Sequence, residues 1–326
     1  RQRQMCIRDS LMRWPRRKGF WPVKATQGDS TRSATPVGSG VVFNIPAHQP
    51  FLHALARAVL AGDLPRVGGQ PPDPVALSDI TLLLPTRRAA RALQETFLDL
   101  AGGRALLLPR VRAIAEVDED QTLLQTLASP EAAGLDGDLP PGVGELERLV
   151  VLTTLVIRWT DAMREAVRTA GVDAPEQLFY ATGTQTAGQA IRLAKELAGL
   201  MDMIETENVS LAQLETLVPE DYSEHWQQTL KFLEIVSITW PGLLRARGKM
   251  SLVARRNALI LMEADRLARR TDRAPVIVAG VTGSIPVTAE LMRVVARLEA
   301  GAIVLPGLDT QLDDESWAKI SATHLC

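Results

Sequence analysis

The stretch Ile80–Leu98, ITLLLPTRRAARALQETFL, constrains the fold more than any other part of the chain. A short apolar run leads into a Pro-Thr turn, two adjacent arginines, and then apolar residues at helical spacing. An apolar run that ends in a turn and a helix is how a buried parallel strand of an α/β sheet reads. Such sheets bind ligands at their carboxyl edge, where a helix N-terminus adds partial positive charge. Arg87 and Arg88 fall at that edge, which predicts a polyanionic guest.

The same pattern recurs on both flanks of the chain. Strands are expected at Val41–Ile45, Ile80–Leu84 and Ala105–Leu108, with helices over Phe51–Leu60 and Ala89–Leu100 between them. Right-handed crossovers make these three strands parallel. Leu64–Ser78, rich in proline and carrying two adjacent glycines, reads as an exposed connection. Strand signals return at Val276–Ala279 and Ala302–Leu305, separated by a turn over Gly280–Ser284 and a helix over Thr288–Leu298.

Between the flanks, from about Glu116 to Arg270, the spacing is helical. Leu149, Val150, Val156, Ile157 and Met163 form one such set, and Ile191, Ala194, Leu197, Ala198, Met201 and Ile204 another. Ser210 with Gln213 offers a capping box, and Pro241 must stop or kink the helix carrying Trp226, Leu230, Leu233 and Trp240. With these helical neighbours Trp159, Trp226 and Trp240 read as core anchors; base-stacking platforms are the alternative. The expected class is therefore α/β: one parallel sheet interrupted by a large α-helical insertion. The parts are a leader at 1–40, a first half-domain at 41–115, the insertion at 116–270, and a truncated return to the sheet at 271–326.

Composition narrows the function. With 326 residues, 46% of them hydrophobic, the chain can bury a large core. A net charge of −2 excludes a wholly basic binder, so any nucleic-acid surface must be local. No run reaches the roughly 18 apolar residues that span a bilayer. Cys6 and Cys326 alone can build neither a disulfide framework nor a thiolate metal site, which fits a reducing cytoplasm. His48 and His53 are read as structural rather than metal-binding. Arg3–Ser10 resembles a translated sequencing adapter, so the basic leader up to Gly40 is expected to be disordered and artefactual, with a phosphate-contacting arm as the alternative. The chain is expected to be a fragment of a longer protein.

Five strings together carry a family resemblance: PTRRAARAL, LLLPRVRAI, DEDQ, AGVTGSIP and VLPGLD. From Val42 to about Trp317 the chain resembles the N-terminal part of the alphaproteobacterial AddB-type subunit of AddAB helicase-nucleases, which repair double-strand breaks. The resemblance implies a helicase-like, P-loop NTPase-like first domain with a helical insertion. It also implies an ATP-driven AddA-type partner subunit and a DNA end or single strand as ligand, with no membrane. The family's iron-sulphur cluster and Mg²⁺-dependent nuclease lie downstream, so no cofactor is expected in this segment.

The residues modify that expectation. A helicase motor needs GxxxxGK[ST] after its first strand, because backbone N–H groups cradle phosphate and the lysine neutralises it. Here that slot is Pro46, Ala47, His48, Gln49 and Pro50. The prolines remove two N–H donors, no glycine permits close approach, and no lysine occurs between Val41 and Gly62. Val276–Ala279 likewise ends in Ala279-Gly280, where an active motor would carry a Mg²⁺-holding carboxylate pair. ATP should not bind at such a degenerate loop.

Thr86, Arg87 and Arg88 occupy the position where active relatives grip single-stranded DNA. Arg91, one turn on from Arg87, joins them. Arg110 and Arg112, just past the expected Ala105–Leu108 strand, project to one side if the chain stays extended. A phosphate-tracking groove of Arg87, Arg88, Arg110 and Arg112 is the sharp expectation, and ordinary surface arginines are the alternative. Asp118, Glu119 and Asp120 read as favourable helix-start charges, and Asp313, Asp314 and Glu315 as a solvated loop, rather than as metal sites. Three functions stand: a DNA-contacting module without motor activity, an ATP-dependent helicase or nuclease subunit with an unconventional phosphate loop, and a protein-docking scaffold with little DNA contact.

Overall fold

The computed structural model describes residues 21–23, 41–65, 73–114, 139–170, 186–209, 232–308 and 313. The expected features at Ser210, Gln213, Trp226, Asp118–Asp120, Asp314 and Glu315 lie outside those residues. The chain divides into two compact units, one from Arg1–Leu135 with Ala258–Cys326 and the other from Asp136–Asn257.

The first unit is built on β1 (Trp21–Val23), β2 (Val41–Ile45), β3 (Thr81–Leu84), β4 (Arg110–Ala113), β5 (Val276–Ala279) and β6 (Gly301–Pro306). They form one sheet in the order β1-β2-β6-β5-β3-β4. The five strands from β2 to β4 run parallel, and β1, from the expected leader, pairs antiparallel on β2. Strands from both ends of the sequence thus interleave, with β6 and β5 lying between β2 and β3.

Alternation along each strand decides which helices cover which face. Phe43, Ile45, Leu82, Leu84, Ile277, Ala279, Ala302 and Val304 pack with α1 (Phe51–Leu60) and α2 (Arg87–Ala101) on one face. Their strand neighbours Leu83, Val276, Val278, Ile303 and Leu305 pack on the other. Buried on both faces, these strands have the continuous apolar composition that parallel sheets require.

The second unit begins with α3 (Glu145–Ala170) and α4 (Ala187–Glu207). The latter opens on a Thr186–Gln189 capping box. A π turn at Ile235–Thr239 leads into the short α5 (Trp240–Ala246), so Pro241 sits in the first turn of a new helical segment. Leu152, Val156, Ala194, Leu197, Met201 and Trp240 form the core of this unit. Trp159 packs edge-on against Phe232 at 4.9 Å, so both described tryptophans of this region are packing residues.

The helix α6 (Leu252–Arg269) starts in this unit and ends in the first, where Ile260, Ala264 and Leu267 cover the second face of the sheet. That helix was expected to lie wholly in the helical middle. The last helix, α7 (Pro286–Arg297), lies on the same second face, where Leu291 and Val295 pack.

One half-buried acid, Glu205, marks the junction of α4 with α6. Ser251 accepts from the Ala254 N–H, capping α6, and donates its own hydroxyl to Glu205. Burial pushes the Glu205 carboxyl above its ordinary value of 4.5, against the smaller downward pull of Ser251 and Arg148. The folded state therefore keeps a proton that the unfolded chain has released. This group's contribution to stability falls as pH rises from about 4.5 through the raised native value. Glu205→Gln keeps an acceptor for Ser251 without the charge. We expect it to raise stability at neutral pH by up to about 1 kcal/mol, reduced by solvent screening, and to flatten the pH dependence of urea unfolding in that window.

Candidate functional site

Neighbouring strands whose outgoing chains turn to opposite faces open a crevice at the carboxyl edge of a parallel sheet. β3 and β5 are such a pair. β3 leads through Pro85 and Thr86 into α2 on one face, whereas β5 leads through Gly280–Ser284 into α7 on the other.

Thr86 sets the geometry on the β3 side. Its backbone is extended, and its hydroxyl oxygen accepts from the Ala89 N–H at 3.1 Å, which ends the strand and starts α2. Arg87 is half-buried and engaged within the protein. Arg88 and Arg91 are exposed and make no ion pair among the described residues. No acidic residue occupies the first turn of α2, so Arg88 has no acidic neighbour within that turn, where the helix dipole is itself positive.

Across the crevice Gly280 adopts φ 72°, a left-handed conformation that favours glycine. A Cβ there would lie 3.2 Å from the Phe51 ring and 3.7 Å from the Pro85 ring, so three loops converge at this point. The segment offered as a degenerate phosphate loop is a tight turn, closed by the Gln49 N–H donating to the Pro46 carbonyl at 3.0 Å. Phe51 then opens α1 and lays its ring against Gly280. Behind the turn, Ala47 contacts Gly307, whose N–H donates to the Ile45 carbonyl at 2.8 Å. Buried Asn44 holds that exit by donating to the Leu308 carbonyl at 3.0 Å and accepting the Leu308 N–H at 2.8 Å. Pro46 and Pro50 contribute no N–H to this turn, and the Phe51 ring lies against Gly280.

Arg110 and Arg112 lie elsewhere. Ala105–Leu108, expected as a strand, is irregular, and the strand is Arg110–Ala113 instead. Arg110 pairs in register with Thr81, the first residue of β3, and Arg112 with Leu83. Arg110 is thus three residues short of the carboxyl end of its neighbour, about 10 Å along the strand. By alternation both arginines share the face of Leu83, opposite the face that α2 covers. The four-arginine groove separates into an α2 group at the carboxyl edge and a β4 pair on the other face.

Sequence reasoning passed over Phe51, Asn44 and Gly307, which shape this edge. A glycine immediately after each of β5 and β6 was the visible signal. The edge has a further property that is legible residue by residue. Val41–Gly62, Ile80–Gln94, Val276–Ala289 and Gly301–Leu308 contain no Asp or Glu, although the chain carries 38 acidic residues and a net charge of −2. These segments supply the described loops that follow β2, β3, β5 and β6. With no carboxylate there, neither an acidic ligand for a divalent cation nor a carboxylate general base is present in those segments. Among the described residues no cluster of His, Cys, Asp or Glu could hold a metal ion, and no helix is long and apolar enough to cross a membrane.

No protein-family model matches the chain, and no curated protein sequence matches it.

Proposed function

We propose that this protein is a DNA-binding, helicase-like module that handles a nucleic-acid strand without turning over ATP, within a helicase-nuclease complex of double-strand-break repair. The helical unit is read as an insertion in the helicase-like domain, and an AddA-type subunit as the motor partner. The observation that carries the reading is that the described segments after β2, β3, β5 and β6 hold no acidic residue while exposed Arg88 and Arg91 open α2, together with the Phe51 ring against Gly280. A phosphodiester backbone presents spaced single charges that exposed Arg88 and Arg91 can meet, while backbone N–H groups at the start of α2 add donors. A phosphate loop for a nucleoside triphosphate uses glycine and lysine, and Pro46–Pro50 contains neither.

The test is a pair of titrations on the full chain. Fluorescein-labelled single-stranded oligothymidylate should bind with a linear dependence of log affinity on log salt, at a slope of about −0.7 per phosphate contact. ATP with Mg²⁺, followed by calorimetry, should give no heat of binding. Nucleotide binding without DNA binding would reverse the assignment in favour of an unconventional ATP site.

A further inference from the structure

The contact surface implied by that reading extends beyond α2. α1 and α2 pack side by side on one face of the sheet, and both follow parallel strands, so their N-termini lie at the same edge. Their buried positions, Leu55, Ala56 and Val59 on α1 and Ala90, Leu93 and Phe97 on α2, face the sheet. The opposite, solvent-facing positions are His53 in the first turn of α1, Arg57 in its last turn, and Arg88 and Arg91 at the start of α2, all exposed. Neither the whole of α1 nor the first two turns of α2 contains an acidic residue; Glu95 is the first. Arg57, like Arg88 and Arg91, makes no ion pair among the described residues. Arginines of the same unit with an acid in reach do pair, as Arg266 does with Glu263 at 2.7 Å and Arg273 with Glu299 at 3.1 Å.

We infer that the outer faces of α1 and α2 form one basic track, and that a single nucleic-acid strand gripped at Arg88 and Arg91 continues across Arg57 and His53. The inference rests on the proposed DNA-binding function and adds the direction of the strand, over the helices rather than along β4. Two adjacent helices that each expose basic residues suit successive phosphates of one backbone. An acidic protein surface is the competing occupant, and the test separates it.

Arg57 also sits in the last turn of α1, where the helix dipole favours a cation. Thermal melting therefore accompanies every binding measurement, and Arg57→Gln is tested beside Arg57→Glu as the milder change. Binding of labelled oligothymidylate by the full chain is measured over a salt series. The expected result for Arg57→Glu is about 10-fold weaker binding with a salt slope shallower by about one contact. Arg158→Glu, an equal charge change on the exposed surface of α3, should stay within about twofold of the unaltered protein. If Arg57→Glu and Arg57→Gln leave affinity and slope unchanged while Arg88→Glu weakens binding, the track does not cross α1 and the inference fails with the DNA-binding reading intact. Equal weakening by Arg158→Glu overturns it too, because net charge alone would then explain the effect. If the unaltered chain binds no oligothymidylate, the parent reading fails, and an acidic protein becomes the occupant to seek.

Discussion

Reversing two charges, in Arg88→Glu with Arg91→Glu, should weaken single-stranded DNA binding by about 100-fold at about 0.1 M salt while leaving the melting temperature nearly unchanged. Each lost contact between a guanidinium and a phosphate is a charge-assisted hydrogen bond worth about 1.5 kcal/mol, and two such losses amount to about two decades in affinity. Reversal adds repulsion to the loss, so this figure is a lower bound. Stability should hold because both side chains are exposed and make no ion pair among the described residues, and a glutamate in the first turn of α2 is favoured by the helix dipole. Arg87 is the poorer choice for this experiment, since it is half-buried and engaged within the protein. The measurement is fluorescence anisotropy against oligothymidylate, with circular dichroism melts in parallel.

Gly301→Ala should be the most damaging single-methyl change in the sheet. A Cβ at Gly301 would sit 1.9 Å from the Val295 carbonyl oxygen and 3.0 Å from the Leu298 Cβ. Backbone cannot rotate away as a long side chain can, so α7 or the start of β6 must move. β6 lies between β2 and β5, in register with both, so a displacement there is shared by the strands that lead to the β2–α1 turn and to Gly280. A loss of about 3–5 kcal/mol is expected, in the range of severe overpacking of a core. Urea unfolding reports it as a lower midpoint with little change in slope. A midpoint equal to that of the unaltered chain would contradict the placement of β6 against the end of α7.

Much of the sheet was legible because its strands are buried on both faces and therefore apolar without interruption. Val276–Ala279 was readable to the residue on that basis, Val41–Ile45 despite Asn44, and the helix Phe51–Leu60 from its own spacing. Leu106–Leu108 is equally apolar, yet the chain there is irregular and the strand begins at Arg110. The competing principle is that β4 ends the row of parallel strands: only one of its edges pairs with a described strand, and a charged residue is tolerated on it. Apolarity therefore marked the approach to the edge strand and missed the strand itself. The helical middle was readable from spacing alone in α3 and α4. The passage of α6 into the first unit was not, because one amphipathic stripe looks the same whichever core it covers.

At the edge, the sequence showed that Pro46–Pro50 lacks glycine and lysine, and the structure adds the position of the Phe51 ring against Gly280. A phenylalanine opening a helix is ordinary in sequence. Its meaning comes from Gly280, a residue distant in the chain, which leaves room for the ring. The separation of Arg110 and Arg112 from Arg87 and Arg88 could not be read in advance either. It depends on the register of β4 against β3, and register is set by pairing rather than by local pattern.

Ultraviolet crosslinking of the full chain to an oligonucleotide carrying 4-thiothymine, followed by peptide mapping, tests the central claim most directly. The account predicts crosslinks within Pro85–Ala92 and Val281–Ser284, unaffected by added ATP. Crosslinks confined to the helical unit, or displacement of the oligonucleotide by ATP with labelling of Pro46–Phe51, would contradict it.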